Sequence, residues 1–414
     1  MPRLRYALLA CFGLVALFTS LSSLAQVDAG NKPPLEMPTM GASDADPFDL
    51  VTGIYHREYP DLLVQDSIPL ILVRTQRTLD DRSRAFGIGA STSYDMFIVG
   101  DAQKFSWVAL VQPDGSQIRY ERVTPGTGFT EAVFKNTTAP TEFLGSIIFW
   151  EKSSWTVRLM NGTEYTVQSC SPSSRPGQCA VKEMRYKGET VTIQRDLKGN
   201  IQKITSPHLH YIAIKTDSTD RITRAEDDAG HWVNYEYDPA GWLKKAQTWR
   251  GEVDEFRYDA HFNMVWVGEK DSKTPPGKYK FTVTNRYDEK NRFKWQKVDF
   301  GDSAQIFAAT YHEDAAGNIR QTDVQSSDGF TRYFFNAAGY EIREDFAPSR
   351  GAKWSLEFSR NAQTNATTDT WLTCSTAKIH VPANISAKLQ AMGDEHKVVV
   401  SRECQSVEQS RLVR

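Results

Sequence analysis

From residue 105 onward, short stretches of alternating apolar and polar residues are separated by compact turn signals. Residues 237–243 give the clearest case, with the sequence Tyr-Asp-Pro-Ala-Gly-Trp-Leu. Asp at the first turn position, Pro at the second and Gly at the fourth is the composition of a type I turn. Pro113-Asp114-Gly115 and Asn161-Gly162 are further hairpin signals. No long stretch after the first 25 residues has helical periodicity, so the pattern predicts an all-β fold of antiparallel hairpins.

The turn of residues 237–243 recurs along the chain. Its first position, which we call the anchor, is occupied by Asp196, Asp217, Asp238, Asp259, Asp288, Asp314 and Asn336. The intervals are 21, 21, 21, 29, 26 and 22 residues, and an insertion at residues 268–278 accounts for the longest. The third residue after each anchor is Gly199, Asp220, Gly241, Phe262, Asn291, Gly317 or Gly339. At the fourth turn we expect Asn263 to take the left-handed conformation in place of Phe262, in a turn one residue longer.

A period near 21 residues is typical of repeat proteins, in which each unit buries its apolar face against its neighbours. One unit here is a hairpin, so we predict a curved antiparallel sheet over residues 181–346. The alternative is a β-propeller, whose four-stranded blades need about twice this period.

The unit resembles that of the YD-repeat or Rhs family, in which Tyr-Asp is followed by Gly and an apolar residue. The Tyr-Asp pair begins at Tyr237, Tyr258 and Tyr287, and residues 196–201 and 314–319 carry the Gly-Asn-Ile part of the unit. The resemblance implies an antiparallel sheet that coils as a spiral and, with enough copies, closes into a hollow shell. Residues 46–53, 61–62, 69–70, 74, 86–89 and 93–94 resemble the domain that usually precedes such repeats, although Ala90 stands where the family commonly has Trp.

The N-terminus has the features of a secretory signal: Arg3 and Arg5, an apolar stretch over residues 6–18, and Ser-Leu-Ala at 23–25. We therefore predict export to the periplasm or the cell surface, with no transmembrane segment in the mature chain. The alternatives are a membrane-spanning segment and lipidation at Cys11. The predicted organisation is a signal peptide over 1–25, a flexible leader over 26–45, an N-terminal Rhs-associated β domain over 46–180, the YD-repeat sheet over 181–346 and a C-terminal β tail over 347–414 with strands at 354–361, 378–381 and 397–400.

Charge and cysteine content narrow the partners and the compartment. Loss of the signal removes two arginines and moves the formal charge from −2 to −4, and the repeats mix charges of both signs, so nucleic acid is not an expected partner. Four cysteines remain, the even number expected of an exported, oxidised chain. Of the three pairings we expect Cys170 with Cys179 and Cys374 with Cys404, because each pair lies in one local segment. Four free thiols are the alternative.

Few residues offer chemistry. His208 and His210 could bind a metal with Asp217, but two histidines beside a turn are more typical of a solvated hairpin edge. The repeated aspartates occupy turn positions, whereas catalysis needs one convergent site. The sequence has no phosphate loop, nucleophile elbow or zinc-protease motif. We therefore expect neither a cofactor nor enzymatic activity.

Two functions from different classes fit the sequence, and we favour the first. It is an exported, non-catalytic scaffold or binding protein whose partner is a carbohydrate or a protein. Rings outside the core would support stacking on sugars, and the candidates are Trp232, Trp242, Trp249, Trp266 and Trp295, although all five could be core residues. The second is a truncated Rhs-type competition effector with a toxic C-terminal tail. The tail is short for a toxin and lacks the Asp-Pro-x-Gly motif with which, by the resemblance, effector repeats end.

Overall fold

The computed structural model describes residues 48–138, 141–168, 180–374, 377–391, 396–397 and 399–404. The predicted signal and leader, Cys170 and Cys179 lie outside these residues. The strands are β1 (His56–Val64), β2 (Leu70–Arg77), β3 (Ser83–Arg84), β4 (Gly87–Ile88), β5 (Ala90–Thr92), β6 (Phe97–Gly100), β7 (Trp107–Val111), β8 (Gln117–Arg122), β9 (Val133–Lys135), β10 (Ile147–Glu151), β11 (Ser154–Arg158), β12 (Glu164–Gln168), β13 (Val181–Tyr186), β14 (Glu189–Arg195), β15 (Ile201–Thr205), β16 (Tyr211–Thr216), β17 (Ile222–Asp227), β18 (Trp232–Tyr237), β19 (Leu243–Thr248), β20 (Val253–Tyr258), β21 (Met264–Lys270), β22 (Phe281–Tyr287), β23 (Phe293–Asp299), β24 (Ala304–Glu313), β25 (Ile319–Gln325), β26 (Gly329–Phe335), β27 (Glu341–Pro348), β28 (Trp354–Arg360), β29 (Thr367–Cys374) and β30 (Ala377–Val381). Helix α1 spans Ala383–Ala391, and residues 399–404 are also helical.

Strands β6 to β30 form one antiparallel sheet of 25 strands, each paired with the next in the chain. Within the described ranges β6 pairs along its length with β7 and β30 with β29, so the sheet is not closed into a barrel. A bridge between Phe97 and Ala180, with Val181 N–H donating to the Met96 carbonyl at 2.7 Å, brings β6 against the beginning of β13. The prediction of a coiled sheet of successive hairpins is therefore confirmed. Separate propeller blades are excluded because the sheet is continuous.

The alternation of side chains makes the sheet two-sided. In β18, Val233 and Tyr235 are buried on the inner face, while Trp232, Asn234 and Glu236 lie on the other face. Successive side chains of a strand point to opposite faces, so this pattern fixes which face turns inward. Each inward aliphatic side chain of this kind contributes roughly 1.5–3 kcal/mol through burial.

The N-terminal residues fill the inside of the coiled sheet. Strands β1, β2 and β5 form a three-stranded sheet and β3 and β4 a short hairpin; we call residues 48–95 the plug. Plug and sheet share one hydrophobic core. Phe48 stacks on Phe293 with ring centroids 4.3 Å apart, and Tyr59 meets Phe256 edge-on at 5.5 Å. Main-chain bonds join them as well, since Phe293 N–H donates to the Gly53 carbonyl at 2.7 Å.

The C-terminal part differs from the predicted β tail. Strands β28 and β30 lie where strands were expected, but residues 399–400 belong to a helical segment, and helix α1 was not predicted. Among residues 383–390 of helix α1, the buried side chains are those of Ser386 and Leu389, three residues apart. So narrow a buried stripe gives little helical periodicity in the sequence. The hairpin of β28 and β29 turns at Asn361, where the Asn361 carbonyl accepts the Asn365 N–H, so the sheet continues past residue 346 with one further hairpin.

Two predicted boundaries lie inside continuous strands or ladders. The sheet passes residue 180 without a break, because β12 pairs with β13. Residues 268–270 of the predicted surface insertion belong to β21, and Gly268 is buried there, so the exposed loop begins only at Asp271.

Candidate functional site

The seven anchors form one turn geometry. Each anchor N–H donates to the carbonyl of the fourth residue after it, and each anchor carbonyl accepts from the third; at Asp238 these partners are Trp242 at 2.9 Å and Gly241 at 3.1 Å. The side-chain oxygen of every anchor also accepts a backbone N–H four residues on. At Asp314, hydrogen bonds from the Asn318 N–H and from the Arg320 side chain lower the pKa of the carboxyl to about 2. The carboxylates are thus used to hold turns.

Each third residue after an anchor has the positive φ that this turn requires. The φ values are 92° at Gly199, 69° at Asp220, 100° at Gly241, 70° at Phe262, 59° at Asn291, 82° at Gly317 and 84° at Gly339. The expectation that Asn263 takes this conformation is therefore wrong. The Asn263 N–H is held by the Asp259 carboxylate, and Phe262 stacks on Trp242 at 5.3 Å. That contact offsets a left-handed penalty of roughly 1–2 kcal/mol.

The tyrosine of each Tyr-Asp pair fastens its hairpin to the one before. Each hydroxyl donates to the carbonyl of the fifth residue after the preceding anchor. These bonds run from Tyr237 to Ile222, from Tyr258 to Leu243 and from Tyr287 to Met264, at 2.6, 3.0 and 2.7 Å. Burial raises the pKa of all three phenols. The motif therefore specifies both the turn and the stacking of units.

A buried ion cluster joins the plug to the sheet. Arg74, with a fully buried side chain, donates to both oxygens of Asp61 at 3.1 and 3.2 Å and lies 3.7 Å from Asp254 of β20. Tyr235 of β18 donates its hydroxyl to the Asp61 carboxylate at 2.7 Å, and the Arg74 guanidinium lies 4.1 Å from the Tyr59 ring centroid. Burial raises the pKa of Asp254 from 3.8 to about 6, with the charge of Arg74 acting in the opposite direction. We call these residues the Arg74 cluster.

A second buried arginine fixes the plug to the first hairpin of the large sheet. Arg77 donates to Asp80 at 2.6 Å and to the Pro113 carbonyl at 2.9 Å, at the turn between β7 and β8. Gly115 of that turn leaves no room for a side chain, since an added Cβ would lie 2.8 Å from the Arg77 guanidinium carbon. The plug is therefore held by charged contacts at two distant places in the sheet.

The outer face carries a row of cross-strand pairs, one for each repeat. In each pair, one residue lies two positions before the anchor and its partner lies seven positions after the anchor. We call this row the outer row. Its pairs are Gln194–Lys203, Lys215–Arg224, Glu236–Lys245, Arg257–Trp266, Arg286–Trp295, His312–Gln321 and Phe334–Arg343. Three pairs place a guanidinium over an aromatic ring; the distance to the ring centroid is 4.3 Å at Trp266 and 4.7 Å at Trp295. The row is rich in cations at the surface.

The five candidate tryptophans divide between the two environments. Trp242 is buried, Trp249 is 42% exposed, and Trp232, Trp266 and Trp295 are half-buried on the outer face. The alternative that all five are core residues is therefore wrong. Trp249 stacks on His231 at 4.3 Å, and arginines lie over the three half-buried rings. The outer surface thus offers guanidinium groups backed by rings.

The exposed loop over residues 271–280 contacts the outer face through Tyr279. Tyr279 meets Trp266 edge-on at 5.0 Å and donates its hydroxyl to Glu255 at 2.7 Å. Gly268 makes this contact feasible, because a Cβ there would lie 2.3 Å from the Trp266 ring. The insertion therefore enlarges the surface around the outer row.

The histidines of the candidate metal site do not converge with Asp217. His208 lies 2.5 Å from Asp66 of the plug, and His210 lies 2.6 Å from Asp228; these carboxylates raise the pKa of both rings. Asp217 follows the far end of β16 and holds its own turn. Among the described residues no group of three or more His, Cys, Asp or Glu side chains is placed to hold a metal ion.

The C-terminal helical residues are fastened to the end of the sheet. Cys374 and Cys404 form a disulfide with Cα atoms 5.2 Å apart, whereas Cys170 and Cys179 lie outside the described residues. His396 lies 2.7 Å from the buried Glu344 carboxylate, and Lys397 donates to the Tyr333 hydroxyl at 2.7 Å. The described part of the tail is thus packed on the repeats.

Comparison with known proteins agrees with this geometry. Residues 180–336 match the family model described as Teneurin YD-shell, and residues 45–120 match a domain of unknown function, DUF6531. The chain is an Rhs/YD-repeat protein. Among curated proteins nothing matches. Within the described ranges, no helix of this YD-repeat protein is long and apolar enough to cross a membrane.

Solved structures similar to this YD-repeat protein include toxin complexes of much greater length. The crystal structure of TcdB2-TccC3-TEV is 8% identical, with 78% of this chain and 20% of that chain covered at a TM-score of 0.35. For TcdB2-TccC3 the values are 9%, 83%, 24% and 0.31. For the Tc holotoxin pore of Photorhabdus luminescens they are 10%, 78%, 22% and 0.27. The chain thus spans about a fifth to a quarter of these chains, and TM-scores below 0.5 establish no shared function.

Several contacts of the site were missed in the sequence. The Arg74 cluster and the Glu344–His396 contact join residues far apart in the chain. Asp254 stands five residues before the anchor Asp259, and Glu344 stands eight residues after the anchor Asn336. Both positions face inward in the repeat. The equivalent residues in other repeats, such as Val233 and Ile204, are buried and apolar. An acidic residue at an inward position was therefore a usable signal.

Proposed function

We propose that this chain is an exported, non-catalytic YD-repeat binding protein whose outer face holds a carbohydrate or protein partner. The proposal rests on one observation, that the interior of the coiled sheet is filled by other parts of the chain. The plug takes the inner face of the sheet, and the C-terminal helical residues pack at its end. Binding is therefore assigned to the outer face and to the edges where the turns lie.

A non-catalytic role is supported by how the interior charges are used. Arg74, Asp61 and Tyr235 bind one another, and aromatic rings pack around them. Buried ionic groups of this kind fix two parts of a fold in one arrangement. The anchor aspartates are likewise engaged with their own turns.

The outer row favours an acidic partner. Arg257 and Arg286 are exposed, and each lies over a tryptophan that limits its freedom. Planar, preoriented guanidinium groups match carboxylates in bidentate geometry.

Export to the periplasm or the cell surface is supported by the N-terminal signal features and by the disulfide of Cys374 with Cys404.

The binding proposal is tested on an array of neutral and acidic oligosaccharides with the full mature chain. We expect binding to acidic members and a loss of about tenfold or more in the double variant Arg257→Glu and Arg286→Glu. The matched control is Lys244→Glu with Lys294→Glu, which changes the same charge at exposed positions outside the outer row. Equal binding by both double variants contradicts the outer-row proposal.

The non-catalytic proposal is tested against the effector alternative by expressing the full chain in the cytoplasm and in the periplasm. We expect normal growth in both cases. Growth arrest that a single substitution in the tail, such as His396→Gln, relieves while the protein remains folded would establish the effector instead.

A further inference from the structure

A cavity of about 570 Å³ opens at the turn edge of the first two repeats. Its walls are strand β3 of the plug hairpin with the flanking residues Arg82 and Ala85, and the turns that begin at Asp196 and Asp217. Ligand pockets in proteins occupy roughly 300–1,000 Å³, so the volume suits a small molecule.

The cavity exists because these two repeats depart from the Tyr-Asp pattern. The residue before the anchor is Tyr at the next three repeats but Arg195 and Thr216 here. At the last two repeats it is Glu313 and Phe335; there Tyr311 makes the equivalent bond to the Phe293 carbonyl, and the Phe335 ring is buried. A tyrosine at position 216 would reach for the carbonyl of Ile201, the fifth residue after the preceding anchor, and Ile201 lines the cavity. Thr216 lacks the ring, so the space remains open. Departures from a repeated pattern are where functional sites are expected.

The lining is cationic and hydroxylated. Four cations, Arg82, Arg84, Arg195 and Lys198, line the cavity beside two carboxylates, Asp95 and Asp220. Lys198 is paired with Asp220 at 2.9 Å, and Arg84 is paired with Asp80 outside the lining at 3.0 Å. Thr216, Ser83 and Ser218 add hydroxyl groups.

Arg195 is held as a fixed charge at the cavity wall. It donates to the Tyr94 carbonyl at 2.7 Å and the Gly199 carbonyl at 3.0 Å, which are neutral acceptors. Its ion-pair partner Asp95 lies 3.8 Å away, beyond hydrogen-bond distance. A guanidinium whose hydrogen bonds go to carbonyls is not neutralised by a hydrogen-bonded carboxylate, so it can pair with an incoming anion.

We propose that this cavity binds a small hydroxylated carboxylic acid of the hexuronate class, with its carboxylate toward Arg195 and Arg82 and its hydroxyls toward the serine and threonine side chains. The inference goes beyond the proposed outer-face binding function and places a second, separate site at the turn edge.

The test is isothermal titration of the full mature chain with D-glucuronate, D-glucose and inorganic phosphate. We expect D-glucuronate to bind at least about tenfold more tightly than the other two. Thr216→Tyr fills the cavity and should weaken that binding about tenfold or more while retaining the melting temperature. Leu197→Tyr is the matched control, because Leu197 is 99% exposed at the same edge and does not line the cavity. Arg82→Gln removes charge without filling the space and should weaken D-glucuronate binding several-fold.

Three results would overturn the inference: no binding of D-glucuronate, binding of phosphate as tight as that of D-glucuronate, or equal binding by Thr216→Tyr and Leu197→Tyr. The outer-row double variant separates this site from the proposed function. It should bind D-glucuronate normally, so that a failed oligosaccharide array refutes the outer row and leaves the cavity standing.

Discussion

Replacement of Arg74 by methionine should destabilise the protein through the contact between plug and sheet. The guanidinium is fully buried, binds both oxygens of Asp61 and lies 3.7 Å from Asp254. Methionine retains most of the apolar volume but leaves Asp61 buried without its cation. Removing one partner of a buried ion pair costs about 3–5 kcal/mol. Urea unfolding followed by tryptophan fluorescence should report a loss of that size.

A double-mutant cycle gives this prediction its control. Asp61→Asn added to Arg74→Met removes the unpaired charge, so the double variant should be more stable than the sum of the single losses by about 2 kcal/mol. Lys245→Met, which breaks the exposed pair with Glu236, should change the free energy of unfolding by less than about 1 kcal/mol. A loss below about 1 kcal/mol for Arg74→Met, or strict additivity in the cycle, would refute the reasoning.

Three further predictions concern single features of the fold. Tyr258→Phe removes the bond that joins two hairpins and should cost about 1–2 kcal/mol in urea unfolding, whereas Tyr211→Phe on the outer face should be nearly neutral. Because the pKa of Asp254 rises from 3.8 to about 6 on folding, the native state binds this proton more tightly, and stability falls as pH rises through that window. Asp254→Asn should abolish roughly 2 kcal/mol of the fall between pH 4.5 and 7.5; an unchanged pH dependence contradicts the assignment. Serine at Cys374 and Cys404 should lower stability by about 3–4 kcal/mol, and no loss would show that the disulfide does not hold the tail.

The hairpin architecture was predictable because its determinants are local. An anchor such as Asp238 and the glycine three residues later specify a turn within a few residues, and the 21-residue spacing then specifies stacking. The turns at the opposite edge of the sheet have equally local determinants, although they were not predicted. They begin at Ser206, Asp227 and Thr248, again 21 residues apart.

The contents of the interior could not be predicted in the same way. Arg74 meets a partner in β20, and no local pattern links the two segments. Phe262 shows a related limit, because its left-handed conformation depends on a stack with Trp242 from the neighbouring repeat. The C-terminal helices were missed because short helices with a narrow buried stripe are formed mainly by their tertiary contacts.

Hydrogen–deuterium exchange of the full mature chain tests the central claim, that residues 48–95 fill the inside of the coiled sheet. The strand to follow is β2, which is bonded to β1 on one side and β5 on the other beneath the sheet. Peptides covering Leu70–Arg77 should exchange as slowly as those covering Trp232–Tyr237, strand β18 of the coiled 25-strand sheet. Exchange of the β2 amides within seconds, while the strands of the sheet stay protected, would contradict the account.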